Sequence, residues 1–299
     1  MHEWSPEVVV DRELARALIA GQFPELEPRT LELLGEGWDN SVWLVDGRWV
    51  FRFPRRTIAL DGVEREIAVL PALAPRLPLP IPEPVFVGRP ADGFPWPFFG
   101  CAHIPGREVA VAGLDDAACL RLARRLGEFL RALHGTRLDA DLPADPFGRT
   151  DMRKRVPLAR ERLAAGERLG LWSVPAPVDA ILDAAYELPA VAPSVVVHGD
   201  LHVRHLLVDE HGDISGVIDW GDLGRADPSS DLSLLWSLLP AAARREFIDA
   251  YGPVSPDQLL RARVLALFLS AVIALYAHHE RMPALERGAI EGVARACRD

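Results

Sequence analysis

The stretch Val195–Trp220, VVVHGDLHVRHLLVDEHGDISGVIDW, holds the densest set of chemistry-bearing residues in the chain. His198, Asp200, His202 and His205 crowd its first half, and Asp219 stands one residue before its end. Three chemistries compete for such a set. Zinc would take His and Cys ligands in a compact arrangement, and HxDxHxxH matches none of the familiar spacings. Phosphoryl transfer asks for a carboxylate near an acceptor hydroxyl and for ligands that hold Mg²⁺ on the phosphates. It also asks for a cation on those phosphates and a glycine loop over them. The bland reading is a polar loop between two strands.

The elements around these residues favour the second reading. Asp200 follows the apolar run VVV, and Asp219 follows SGVI. His211-Gly212-Asp213 makes the turn between the two inner strands, so the stretch reads strand, loop, strand, turn, strand. The two carboxylates are then expected on neighbouring loops, where one metal–phosphate unit would meet both. Upstream, residues 11–21 read as a short helix and residues 30–53 as strands, with Asp46-Gly47 as a two-residue hairpin turn. Residues 61–74 suit an amphipathic helix through Val63, Ile67 and Leu70. A proline-rich segment leads to another strand, PFFGCAHI, and a break at Pro105-Gly106. Residues 115–134 space Cys119, Leu122, Leu126, Phe129, Leu130 and Leu133 as a helix, with Asp115 as N-cap and Gly135 as C-terminal cap. Residues 152–165 and 176–186 are expected to be helical, and residues 228–299 mostly so. This pattern predicts an α+β chain: a strand-rich N-terminal lobe over residues 1–101 and a helical C-terminal lobe over residues 102–299.

Composition narrows the partners. Acidic residues outnumber basic ones 43 to 33 and the net charge is −10, which argues against a nucleic-acid partner and suits a cationic small molecule. Cys101, Cys119 and Cys297 are too scattered for a disulfide framework or a zinc ribbon. The start, MHEWSPEVVV, has neither a basic end nor an apolar signal core. The most apolar run, Val264–Ala277, has 14 residues, short of the ~20 that cross a bilayer. It reads as a buried helix of a soluble cytoplasmic protein with no membrane partner. The chain's only lysine is Lys154. Whether the protein is a monomer or a dimer leaves no mark on the sequence.

The segment HGDLHVRHLLVD…SGVIDWGDLGRADPSSDLS resembles the catalytic segment of the aminoglycoside phosphotransferase family, which has the protein-kinase fold. It is most similar to the macrolide phosphotransferase branch, where His tends to stand five residues after the catalytic Asp. Other parts follow in the family's order. LGEGWDNSVWLV sits where the glycine-rich nucleotide loop belongs, WVFRFPR at the third strand, and VEREIAVLPAL at the helix with the paired glutamate. PFFGCAHIPG resembles the hinge and LGEFLRALH the helix after it.

The resemblance implies a two-lobed, protein-kinase-like α+β fold. It implies transfer of the γ-phosphoryl group of ATP or GTP to a hydroxyl of a macrolide or an aminoglycoside, in a cleft between the lobes, with Mg²⁺. Asp200 would be the catalytic base or hydroxyl-orienting residue, with His198 bracing its loop. Asp219 would ligate Mg²⁺. Gly35 and Gly37 would let the loop backbone approach the phosphates, and backbone groups of Ala102 and Ile104 would hold the base. The chain departs from the family twice. Arg52 stands at the third-strand lysine position, where it would bring a fork of donors rather than a point charge; Glu66 is the expected partner, with Glu64 next. His205 stands at the metal-ligating Asn position, where it would bind the metal, touch phosphate, or hold a metal-bound water.

Plainer readings stand beside these. Gly35 and Gly37 also suit an ordinary turn, and Arg52 a solvent-facing strand residue. His103 reads as a hinge-surface residue and His134 as a packed helix end. His202 is equally suited to a hydrogen bond within the loop. His278-His279 would close the apolar helix at its C-terminus, and Asp227 and Asp231 would cap a helix and brace the loop. Glu280 and Glu286 read as a solvated helix face before a pocket for a cationic drug, and Trp236 and Tyr276 as substrate contacts or core. The other functions open to the sequence are a kinase for an amino alcohol, sugar or choline-like metabolite, a non-catalytic nucleotide-binding relative, and, more remotely, a zinc hydrolase.

Overall fold

The computed structural model describes residues 6–37, 39–145 and 147–298. Residues 1–5 of the amino-terminal stretch and Trp38 of the glycine loop lie outside the described residues. The chain divides into two compact units. The first comprises Met1–Pro75, Pro80–Ile104 and Asp219–Gly221; the second comprises Arg76–Leu79, Pro105–Ile218 and Asp222–Asp299.

The first unit is built on β1 (Leu31–Glu36), β2 (Asn40–Val45), β3 (Trp49–Pro54), β4 (Phe86–Gly88) and β5 (Phe98–Ala102), flanked by α1 (Arg12–Gln22) and α2 (Leu60–Leu73). The strands form one antiparallel sheet in the order β1-β2-β3-β5-β4. Asp46 and Gly47 both take positive φ, 52° and 66°, which a primed hairpin turn requires. Alternation along β3 sorts its side chains to two faces. Phe51 and Phe53 join Trp43, Phe98 and the Leu18–Ile19 side of α1 in one core. Val50 joins Val63, Ile67, Phe99 and Cys101 in the other, and Arg52 shares that second face. Ala102 pairs with Trp49, and the His103 N–H donates to the Arg48 carbonyl at 2.8 Å. Residues 102–104 therefore stay with the sheet, a little beyond the expected boundary at residue 101.

The second unit contains β6 (Arg107–Glu108), α3 (Val109–Ala112), α4 (Asp116–Gly135), α5 (Met152–Arg168) and α6 (Pro177–Tyr186). It continues through β7 (Val195–Val197), β8 (Leu206–Val208), β9 (Ile214–Val217) and β10 (Gly224–Ala226). It ends in α7 (Leu234–Ser237), α8 (Ala241–Tyr251), α9 (Pro256–His279) and α10 (Pro283–Cys297). β8 and β9 form a hairpin, but β7 pairs with β10 in a separate sheet. The first strand of the opening stretch is thus tied to a strand beyond its end. Asp115 caps α4 by accepting the Ala118 N–H at 2.7 Å. Gly135 does not serve as the expected cap: it is the last helical residue, and Thr136 closes the helix with its N–H on the Leu133 carbonyl.

α9 is longer than its apolar run. A Ser255–Gln258 capping box starts it, and Arg261 and Arg263 are buried within it because their guanidinium groups reach the Pro189, Ala296 and Arg298 carbonyls. By length and composition α9 is able to cross a membrane, yet most of its apolar stretch is buried, and the helix packs against α5, α6, α7 and α10. Trp236 belongs to this core. Its indole N–H donates to the Leu259 carbonyl at 3.1 Å, and its ring is contacted by the guanidinium groups of Arg244 and Arg263.

Candidate active site

The expected site residues fall into two clusters, one in each unit. In the first unit the β3 alternation turns Arg52 toward α2, and the helical period places Glu66 on the same buried stripe as Val63 and Leu70. Arg52 Nη1 lies 2.6 Å from Glu66 Oε1, and Nη2 lies 3.1 Å from Asp219 Oδ1. Glu64 is exposed on the opposite side of α2. Burial alone would lower the Arg52 pKa, but the carboxylates of Glu66 and Asp219 more than offset it, so the guanidinium stays charged. Burial pushes the nearby Cys101 thiol up to about 12, which leaves it unreactive.

Asp219 adopts φ 66°, a left-handed conformation that costs a non-glycine residue about 1–2 kcal/mol. The surrounding bonds hold it there. The Trp220 N–H donates to Glu66 Oε1 at 3.2 Å, and Arg65 Nη1 donates to the Gly221 carbonyl at 2.7 Å. The Gly37 N–H donates to the Asn40 carbonyl, and Arg55 Nη1 donates to the Gly37 carbonyl. A Cβ at Gly35 would meet no atom within 4 Å, and one at Gly37 would lie 3.8 Å from the Asn40 carbonyl. Protein packing therefore demands glycine at neither position. Ala102 closes β5, and Ile104 lies in the irregular segment after it.

In the second unit Asp231 is fully buried and organises the loop after β7. Its Oδ2 accepts the His198 N–H at 2.8 Å and faces His134 Nε2 at 3.1 Å; its Oδ1 accepts the Gly199 N–H at 2.9 Å. Burial would raise the Asp231 pKa, but the hydrogen bonds it accepts from His134 and the Gly199 N–H bring it below the ordinary carboxylate value. His198 is also fully buried. Its Nδ1 accepts the Asp200 N–H at 3.2 Å, so Nε2 carries the proton and donates to the Ile218 carbonyl at 2.9 Å. Burial lowers its pKa and keeps the ring neutral. Gly199 has φ 87°, and a Cβ there would come within 2.3 Å of the Asp222 carbonyl oxygen, so this turn accepts only glycine.

Asp200 projects from this braced loop. His205 Nδ1 donates to the Asp200 carbonyl at 2.8 Å, which places the imidazole lone pair on Nε2. His202 Nε2 lies 3.6 Å from Asp200 Oδ2, and the His202 and His205 rings lie 3.9 Å apart. Asp200, His202 and His205 can each offer a donor atom, all within 4.8 Å of one another. Asp227 caps the turn at Pro228 through the Ser229 N–H. Lys154 is exposed on α5 beside Asp151.

The sequence reading missed Arg149. Its Nη2 donates to Asp200 Oδ1 at 3.0 Å and also to Asp222 Oδ2. An arginine eight residues before the Pro in RTDMRKRVP carries no motif of its own, and only the threonine and aspartate after it mark a helix start.

The sequence matches the family described as phosphotransferase enzymes over residues 30–263. Aminoglycoside 3'-phosphotransferase of Escherichia coli is 38% identical over 86 residues, 27% of this chain and 31% of that protein. The chain spans about a fifth to a third of the length of the first curated relatives it matches. Among solved structures, the GDP and kanamycin complex of APH(2")-IIia superposes with a TM-score of 0.67 at 25% identity, covering 94% of this chain and 97% of the other. Macrolide 2'-phosphotransferase MphH from Brachybacterium faecium shares the fold, with a TM-score of 0.59 at 22% identity over 93% of this chain and 98% of the other. A strand-rich amino-terminal sheet and a helical carboxy-terminal region are thus common to this protein and to kinase-like aminoglycoside phosphotransferases. With more than three quarters of its length matched, the chain belongs to the phosphotransferase enzyme family.

Proposed function

We propose that this protein is a small-molecule kinase that transfers the γ-phosphoryl group of ATP or GTP to a hydroxyl of an antibiotic, an aminoglycoside or a macrolide. The observation that carries this reading is Asp200, a carboxylate on a loop fixed by His198, Gly199 and Asp231. Asp200 would take the acceptor's hydroxyl proton as the new O–P bond forms and the β–γ bridging bond breaks, releasing ADP or GDP. His198 is a positioning residue that acts through the Asp200 backbone. Arg52, held by Glu66, would place its charge on nucleotide phosphates. Gly35 and Gly37, glycines that packing does not require, suit a loop whose backbone lies over those phosphates. Backbone groups of Ala102 and Ile104 would hold the base.

The donors present suit Mg²⁺. Asp219 offers a half-exposed carboxylate, the hard oxygen ligand this ion prefers. His205 offers the Nε2 lone pair, for the ion or for a water bound to it. When bound, Mg²⁺ would neutralise charge on the phosphates. The family membership and the complexes of its neighbours with GDP and kanamycin support the donor and acceptor classes.

A coupled NADH assay with Mg-ATP and Mg-GTP, run against kanamycin, a macrolide and small amino alcohols, tests the reading. Asp200→Ala serves as the blank. A drug-dependent rate that vanishes in the variant is expected. Equal rates in wild type and variant would overturn the mechanism, and turnover with amino alcohols alone would reassign the acceptor.

A further inference from the structure

We propose that Arg149 is a positioning residue for the transfer reaction, holding one oxygen of Asp200 so that the other faces the acceptor hydroxyl. The inference rests on the kinase reading. An aspartate carboxylate turns easily about its terminal torsion, so a braced backbone does not by itself aim the oxygens. Arg149 Nη2 holds Asp200 Oδ1 at 3.0 Å. The same nitrogen also donates a hydrogen bond to Asp222 Oδ2, which anchors it.

Arg149 is itself held in place. Asp145 Oδ1 accepts the Arg149 N–H at 2.7 Å, and Oδ2 accepts the Thr150 N–H at 2.9 Å and the Thr150 hydroxyl at 2.8 Å. The Asp145 N–H donates to the Arg225 carbonyl, and the Arg225 N–H donates to the Pro143 carbonyl, which ties the segment to β10. Asp145 takes φ 36° to make these bonds. The guanidinium also lies 4.8 Å from the Phe147 ring. Only 14% of the Arg149 side chain is exposed. Burial would lower its pKa, but Asp200 and Asp222 raise it above the ordinary value. The result is a fixed cation shared by two carboxylates, one of which the reaction uses. A lysine would bring a compact ammonium without the planar fork.

The test is a double-variant cycle on the full chain. Arg149→Ala, Asp200→Asn and the pair are assayed for MgATP and MgGTP hydrolysis and for transfer to kanamycin. Arg149→Ala is expected to lower kcat about 10- to 100-fold, with the nucleotide KM unchanged. Added guanidinium is expected to restore part of the rate, and Arg149→Lys less. The double variant should be no slower than Asp200→Asn alone, because the two residues act as a unit. Wild-type kcat in Arg149→Ala, or full additivity of the two losses, overturns the inference. If Arg149→Ala does not fold, Arg149→Gln takes its place in the cycle with the same expected losses. A wild-type rate in Asp200→Asn overturns the kinase reading instead, and the positioning role falls with it.

Discussion

Arg52 on β3 divides its guanidinium between two carboxylates, with Nη1 on Glu66 at 2.6 Å and Nη2 on Asp219 at 3.1 Å. One planar group thus fixes the sheet, the helix and the residue with the left-handed backbone together. The fork explains how an arginine can stand where a lysine is usual: each of its two terminal nitrogens serves a different partner.

Glu66→Ala should be severe, because it leaves Arg52 buried without its nearest counter-charge. A loss of about 3–5 kcal/mol is expected, read as a lower urea midpoint. Replacing both partners, Arg52→Met with Glu66→Leu, should recover most of that stability and still abolish nucleotide turnover. A double variant as unstable as Glu66→Ala would show that the charges do not set the cost.

Gly199→Ala tests the turn that carries Asp200. The added Cβ would meet the Asp222 carbonyl at 2.3 Å, at a φ of 87°. Strain of about 1–3 kcal/mol is expected, with kcat falling much more than nucleotide affinity. Unchanged kcat would mean that the loop tolerates the shift.

Much of the first unit was legible because its signals are local. Asp46-Gly47 fixes a hairpin turn, β3 alternates, and the helical spacing of Val63, Ile67 and Leu70 marks α2, whereas Glu66 is reached only through the family resemblance. The loop around Asp200 was legible through its motif. Pairings over long sequence distances were not. β7 pairs with β10 rather than with the strands of its own stretch, since three consecutive valines suit either partner. Arg149 lies 51 residues from Asp200, and no periodicity links the two. The length of α9 was hidden by two arginines that are buried because backbone carbonyls lie within their reach.

Acid should weaken the fold in two stages. His198 has a lowered pKa in the folded protein, so the unfolded chain takes up its proton first, and stability falls as pH drops below about 6.5. Asp231 also has a lowered pKa. Its contribution is complete above the unfolded value of about 3.9 and is lost as pH falls through the folded value. Urea midpoints between pH 7 and pH 3 check both. Asp231→Asn should cost about 2–3 kcal/mol at pH 7 by turning a donor toward N–H groups, and should flatten the profile below pH 4. A wild-type slope there in the variant would remove Asp231 as its source.

His205→Asn probes the metal preference. The imidazole is held by its Nδ1 proton on the Asp200 carbonyl, so Nε2 is the atom left with a lone pair. Nitrogen donors favour Mn²⁺ over Mg²⁺ more than amide oxygens do. Wild type should therefore lose activity on chelation and recover it at lower Mn²⁺ than Mg²⁺. In His205→Asn the Mn²⁺ advantage should shrink severalfold, even if kcat falls because the bond to the Asp200 carbonyl is gone. The ratio of the two half-activating concentrations separates these effects, since a displaced loop lowers the rate with both ions alike. An unchanged ratio would place His205 away from the metal and leave it the single role of holding the Asp200 backbone.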